Sequence, residues 1–295
     1  MKRLEALLEE RLRKPEVLAR QQEAARDSAT RLRSWLQAAS EFRQALVQAM
    51  PAGSDFDAQW LALREPADHA ARSLMLTRQT IDWLRKRGHQ APVIADIGSG
   101  TGSNWRYLSG ALAAAGRDSG HWHLFDQDAS LLGTVPQTES GPELHVERLE
   151  AATLEQRLPR PLDLLTASAL IDLVSRDWLD ALAEAAAERQ AAVLVVLSYA
   201  GCFRLRPEHP DDGNLRQRVN EHQHGDKGTG AACGPEASGY LTTALKARGY
   251  AVNCESSIWR LDGGQPALQK ALMEGWVEAA RAQLAAGDSL WLGQW

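Results

Sequence analysis

The sequence predicts an α/β protein built on a largely parallel sheet, and three observations predict it. From Ala91 onward, short apolar runs alternate with helical stretches. The first of those runs leads directly into Gly98-Ser-Gly100-Thr-Gly102. The ninety residues before it carry apolar positions at helical spacing and no strand pattern.

In the N-terminal segment Leu4, Leu7, Leu8 and Leu12 recur at helical spacing, as do Trp35, Ala39, Phe42 and Leu46, with Pro15, Pro51 and Pro66 as breaks. Residues 1–90 therefore read as a helical cap, whose apolar stripes pack on the rest of the chain or form a homodimer surface. Its last helix runs from about Ala67 to Arg87 and stops at Gly88. Residues 91–295 form the second domain. Strands are expected at Val93–Ile97, Trp122–Phe125, Leu144–Glu147, Leu162–Thr166, Ala192–Leu197 and Tyr250–Cys254. Helices are expected near Asn104–Ala115, Arg176–Arg189, Glu236–Arg248 and Ala267–Ala286. Residues 201–235 are polar, rich in Gly, Pro and His, and show no periodicity; a loop of that length is usually functional.

Composition narrows the function classes. The chain has 295 residues, 44% hydrophobic and 24% charged, enough apolar material for a substantial core. Lys+Arg 33 against Asp+Glu 38 gives a net charge of −5, which removes the usual source of non-specific nucleic-acid affinity. Cys202, Cys233 and Cys254 are widely spaced without Cys-x-x-Cys, which favours inert thiols in a reducing compartment. No uninterrupted apolar segment suits export or membrane spanning, so the cytoplasm is the expected location. Tryptophan supplies 10 of the aromatic residues against 4 Tyr and 4 Phe, which reads as core and lid packing.

The stretch Val93-Ile-Ala-Asp96-Ile-Gly98-Ser99-Gly100-Thr-Gly102-Ser-Asn104 places glycines at alternate positions between a strand and a helix. There a ligand can approach the backbone and meet outward-facing N–H groups. The dinucleotide pattern G-x-G-x-x-G would need glycine at 103, where Ser103 stands, and no Gly-Lys-Ser/Thr makes a P-loop. Acids follow at the next two strand ends, Asp126 and Glu150. An acid before the glycines would repel a pyrophosphate, but it suits a ligand carrying positive charge.

Asp96-Ile-Gly98-Ser-Gly100-Thr-Gly102 resembles motif I of class I S-adenosylmethionine (SAM) methyltransferases, Asp/Glu-x-Gly-x-Gly-x-Gly. The resemblance covers about Ala91 to Leu261. It implies a Rossmann-like, doubly wound sheet of seven strands, the last antiparallel and supplied by Ser257–Leu261. It also implies that SAM is held by Asp96, Gly98, Ser99, Gly100, Gly102 and Asn104, with Asp126 on the ribose, Glu150 beside the adenine and Ser168 at the end of strand four. The glycine-turn context from Ser99 to Leu108, together with Arg64-Glu-Pro-Ala-Asp68, is similar to a group of bacterial methyltransferase-like proteins.

For the acceptor, Leu165-Thr-Ala-Ser168-Ala-Leu-Ile-Asp172 stands where DNA amino-methyltransferases carry Asn/Asp-Pro-Pro-Tyr/Phe, and no cysteine follows a proline. A small molecule is expected, and no nucleic acid or membrane. Asp172 serves as a general base, binds a substrate cation, or is a first-turn helix acid. Tyr199 and the loop after it supply the remaining candidates: His222 or His224 as base, with Asn220, Asp226 and Lys227 as substrate contacts. An extended His222-x-His224-x-Asp226 could instead hold a metal, but no metal site is assigned. His121 and His123 read as structural. Arg64 or Arg72 is available to an acceptor carboxylate, with the cap and the long loop meeting over the donor methyl. Methyl transfer is the expected activity. The alternatives are SAM binding without turnover, intramolecular displacement releasing methylthioadenosine, and, in third place, a nicotinamide oxidoreductase.

Overall fold

A computed structural model describes residues 57–89, 91–117, 120–138, 141–284 and 290–295. The stripes at Leu4–Leu12 and Trp35–Leu46 lie outside the described residues. Residues 54–295 form one compact unit, so the helices next to the sheet belong with it.

Those helices are α1, Ala58–Ala71, and α2, Leu74–Arg87. A single helix beginning at Ala67 was expected, with Pro66 as a break. Instead α1 runs through Pro66, and the break falls at Arg72, where the backbone is extended and Ser73 caps α2 by accepting from Leu76 N–H. Tertiary contacts override the proline here: Glu65 and His69 flank it and fasten the turn to Arg106 and Ser103, beyond the first strand. Gly88 closes α2 in the left-handed conformation, φ 81°.

The sheet follows with β1 Val93–Ile97, α3 Ser103–Ala114, β2 His121–Asp126, the short α4 Ala129–Leu132, β3 Glu143–Val146, the short α5 Leu154–Arg157, β4 Leu164–Ser168, α6 Arg176–Glu188 and β5 Ala192–Val196. Beyond it come α7 Asp212–Gln223, α8 Ala237–Ala247, α9 Pro266–Arg281 and α10 Leu290–Gln294. All five strands are parallel in the order β3-β2-β1-β4-β5. The chain walks outward from β1 to β3 and returns to β4 on the other side of β1. Such a reversal opens a crevice at the carboxyl ends of β1 and β4, where open α/β sheets bind ligands.

Both faces are covered, as a parallel sheet requires. On one, Ala95, Ile97, Phe125 and Leu165 pack under Trp178, Leu179 and Leu182 of α6 and Leu241 and Leu245 of α8. On the other, Ile94, Trp122, Leu124 and Leu194 pack against Ile81 and Leu84 of α2 and Leu108 and Leu112 of α3. Each fully buried leucine contributes about 1.5–3 kcal/mol.

Two expectations are corrected. Five strands rather than seven are present among the described residues. Tyr250–Cys254 and Ser257–Leu261 pair with no strand, because Asn253-Cys-Glu-Ser-Ser257 offers no apolar run to bury. Its side chains turn toward the helices instead, Asn253 Nδ2 donating to Gln79 and Trp259 Nε1 to Asp68. The stretch 201–235 is not all loop: α7 lies within it. Only Leu215 and Val219, one turn apart, are buried, too few apolar positions to show as a period. They meet α9 and the tryptophan-rich C-terminus, where Phe203 stacks on Trp276 with centroids 3.9 Å apart and Trp295 Nε1 bonds Asp212.

Candidate active site

The turn after β1 is built by its glycines. Gly98, Gly100 and Gly102 all have positive φ, at 66°, 53° and 81°, a region that costs side-chain-bearing residues strain. Gly98 and Ser99 N–H both bond Phe125 O, and Gly102 N–H returns to Ser99 O, fixing the turn against the end of β2.

Asp96 ends β1 fully buried. Asn104, in the first turn of α3, donates from Nδ2 to Asp96 Oδ1 at 2.6 Å and to Thr166 Oγ1 of β4 at 3.0 Å. Asn104 Oδ1 accepts from Arg72 at 2.5 Å, and the Arg72 guanidinium lies 4.4 Å over the Tyr107 ring. Asp96 Oδ2 and Arg72 Nε and Nη1 are buried with no hydrogen-bond partner among the described residues. Burial pushes the Asp96 carboxyl up to about 7 and pulls the Arg72 guanidinium below its ordinary value. Buried orphans of both signs beside one another suit a ligand end carrying both charges.

Asp126 ends β2. Its carboxylate accepts from Gly100 N–H at 2.8 Å and Asp128 N–H at 2.9 Å, which orients both oxygens. Burial raises its pKa, opposed by those two backbone donors. Each oxygen keeps a lone pair for a vicinal diol. Glu150 is exposed and pairs with Arg148 at 3.6 Å.

Around the ends of β4 and β5 the chain is strained: Ala169 and Leu197 take positive φ, 53° and 61°. Past these turns, buried Asp172 receives Tyr199 N–H in a long 3.4 Å contact, and Ser168 ends β4 half-buried. Burial raises the Asp172 pKa, and the nearby charge of Arg64 opposes it. Tyr199 Oη donates to Asn220 Oδ1 at 2.7 Å, and Asn220 Nδ2 bonds Gly201 O. Burial pushes the Tyr199 hydroxyl up to about 12, far above a working base.

Asp172, Tyr199 and Asn220 are thus brought together. The other loop candidates are placed differently. His222 sits half-buried in the last turn of α7, its pKa lowered by burial and by Lys227. His224 faces Glu236 at 3.4 Å and packs over Gly234. Asp226 caps a turn by accepting from Gly228 and Gly230 N–H, and the Lys227 carbonyl accepts from Arg148. The helix ending at Gln223 removes the extended spacing that a His222-His224-Asp226 metal site would have needed.

α1 lies against the glycine turn. A Cβ on Gly100 would stand 3.0 Å from Leu61 Cδ1. Glu65 takes a two-pronged ion pair from Arg106 of α3, at 2.8 and 2.5 Å, and Arg106 also bonds Thr101 O. Arg64 pairs with Asp68 and lies 5.1 Å over the Trp259 ring. Sequence reading missed Leu61, Glu65, Arg106 and Thr166. Only Thr166, a polar residue inside an apolar strand, carried a visible signal. Arg72, expected over the acceptor, stands beside Asn104 and Asp96.

No family model matches the sequence, and no curated protein matches it. Among solved structures the chain is similar to human N-acetylserotonin methyltransferase in complex with SAM. That match has 12% identity and a TM-score of 0.38, covering 64% of this chain and 46% of that one. The chain thus spans less than half of that enzyme's length. It is also similar to magnesium protoporphyrin IX methyltransferase from Synechocystis with bound S-adenosylhomocysteine, at 14% identity and TM-score 0.38, covering 73% and 86%. A third match is a cyclopropane synthase from Mycobacterium tuberculosis, at 12% identity and TM-score 0.44, covering 77% and 80%. With every score below 0.5, function is read from this chain's own residues.

Proposed function

We propose that the protein is a SAM-dependent methyltransferase acting on a small-molecule acceptor in the cytoplasm. The observation that carries this reading is the buried Asp96–Asn104–Arg72 cluster at the switch point, with its orphaned carboxylate oxygen and guanidinium nitrogens. Asp96 would take the ligand's ammonium and Arg72 its carboxylate, a carboxylate–guanidinium contact being among the stronger polar pairings. The glycine turn would lie along the ligand backbone and Asp126 would take the ribose hydroxyls. SAM, when bound, supplies a methyl group on a sulfonium centre. The chain's own contribution is positioning and exclusion of water, so no general base is required of it.

The acceptor reading rests on the second cluster. Asp172, Tyr199 and Asn220 line the carboxyl ends of β4 and β5, and Arg64 supplies a cation near Asp172. Asp172 would accept a proton or hold a donor group of the acceptor, with Tyr199 and Asn220 orienting it. His222 would be the next base to test, since burial keeps it neutral.

Calorimetry with SAM, S-adenosylhomocysteine, NAD and ATP tests the cofactor, followed by mass spectrometry of the nucleoside formed from SAM in the presence of cell extract. Saturable binding of SAM alone with S-adenosylhomocysteine as product supports the reading. NAD binding in place of SAM refutes it, and methylthioadenosine as product replaces methyl transfer with intramolecular displacement.

A further inference from the structure

Midway along β2 and β3, away from the crevice, three side chains converge. The register pairs His123 with Glu143 and Phe125 with His145. Because side chains alternate along a strand, these four residues share one sheet face. The His145 ring stacks on Phe125 with centroids 4.3 Å apart and 12° between planes, and lies 5.3 Å from the His123 ring. That stacking fixes where the imidazole nitrogens point.

The candidate ligating atoms, one from each residue, lie within 4.8 Å of one another, and the carboxylate spans the two ring nitrogens with one oxygen facing each. His123 Nδ1 is 3.1 Å from His145 Nε2 and 3.3 Å from a Glu143 oxygen, and His145 Nε2 is 3.5 Å from the other oxygen. A tetrahedral zinc with bonds of about 2.0–2.1 Å has ligand-to-ligand edges of about 3.3 Å. With Glu143 ionised, no protonation of the two rings makes all three contacts hydrogen bonds. With both nitrogens protonated, each donates to Glu143, but two donors oppose each other across 3.1 Å. With one bare, its lone pair faces a carboxylate oxygen. One divalent cation accepts a lone pair from all three.

We propose that His123, Glu143 and His145 form a zinc-binding site with its fourth position open to solvent. Two imidazoles and a carboxylate match the ligand preferences of zinc, and Glu143, whose side chain is 64% exposed, leaves the outer side accessible. The ion would brace β3, a four-residue strand that pairs with β2 alone. A sequence scan misses this site because His123 lies 20 residues before Glu143 and meets it and His145 only through the β2–β3 register.

The test uses the full chain, stripped with chelator and dialysed. Zinc is titrated by calorimetry, and cobalt is titrated by visible absorption, whose band intensity reports tetrahedral coordination. One equivalent per chain is expected, with a rise in Tm on zinc addition. His123→Ala and His145→Ala should each weaken binding at least tenfold. Glu143→Gln, at an exposed position that leaves folding intact, should do so as well. His224→Ala, which breaks a His–Glu pair elsewhere in the chain, should keep the full equivalent. Absence of saturable binding overturns the proposal. So does an equivalent that survives Glu143→Gln and His145→Ala, or one that is lost with His224→Ala. If a histidine variant loses its far-ultraviolet dichroism, the Glu143→Gln result decides.

Discussion

Asn104 stands between Asp96 and Arg72, donating to the carboxylate at 2.6 Å and accepting from the guanidinium at 2.5 Å. A direct ion pair would have satisfied both charges. The interposed amide keeps them apart and leaves Asp96 Oδ2 and Arg72 Nε and Nη1 without a hydrogen-bond partner among the described residues.

The first prediction concerns pH. Asp96 lies at about 7 in the folded, ligand-free chain, against about 3.9 when unfolded. A raised carboxyl favours folding while protonated, so its stabilisation is complete below about pH 4 and is lost as pH rises through about 7. Between those limits the wild-type chain should lose roughly 4 kcal/mol relative to Asp96→Asn, at about 1.4 kcal/mol per pKa unit. Urea unfolding at several pH values checks this, and parallel pH profiles would refute it.

The second concerns Arg72. Arg72→Met should weaken SAM at least tenfold while leaving methylthioadenosine, which lacks the amino-acid end, unchanged, because a charged hydrogen bond contributes about 1.5–3 kcal/mol. Stability of the ligand-free chain should fall, since buried Asn104 Oδ1 loses its donor and buried Asp96 a nearby compensating charge. Equal losses for both ligands would move Arg72 out of the carboxylate contact.

How much of this was legible in the sequence follows from range. β1, its glycine turn and Asp126 are local signals, a strand running into a conformation that only glycine takes easily, and they appear where expected. Strand ends elsewhere shifted by a residue or two, as at β4, because pairing with neighbours decides where a ladder stops. The Arg72–Asn104 contact joins residues 32 positions apart and depends on a helix break at Ser73 that carries no strong signal. The role of α7 was hidden for the opposite reason: its burial is supplied by α9, so its own sequence is almost wholly polar.

The third prediction separates ribose binding from turn building at Asp126. The carboxylate caps Gly100 and Asp128 N–H, so Asp126→Ala would loosen the turn as well as remove a ligand contact. Asp126→Asn keeps one of the two backbone acceptors and should lower Tm less than Asp126→Ala does while weakening SAM about 10- to 100-fold. Calorimetry and thermal unfolding on the same samples check it. Unchanged SAM affinity would remove Asp126 from the ribose.

A fourth concerns Tyr199, whose hydroxyl at about 12 stays protonated at neutral pH. Tyr199→Phe deletes only the 2.7 Å bond to Asn220 and should cost about 1 kcal/mol of stability without altering the pH dependence of turnover. A turnover profile that lost a limb in this variant would make Tyr199 the base after all.

The last prediction concerns α1 and the order of events at the site. Leu61 lies against Gly100, and the Glu65–Arg106 pair, joining α1 to α3 over 41 positions, fastens α1 beside the turn together with the His69–Ser103 contact. Arg106 holds the Glu65 carboxyl below its usual range, so the pair is charged at neutral pH. A ligand lying along Gly98–Gly102 would then reach the turn only when α1 lifts, and the fastening would set how often it does. A partly exposed two-pronged pair contributes about 1 kcal/mol, close to fivefold in an equilibrium. Glu65→Gln should therefore raise SAM association and dissociation rates together, each about fivefold, and leave Kd nearly unchanged. Stopped-flow tryptophan fluorescence reads both rates, with Trp105 beside Gly102 as reporter. A rise in dissociation alone would mean that α1 closes only after the ligand has bound, and unchanged rates would show that α1 does not govern access to the turn.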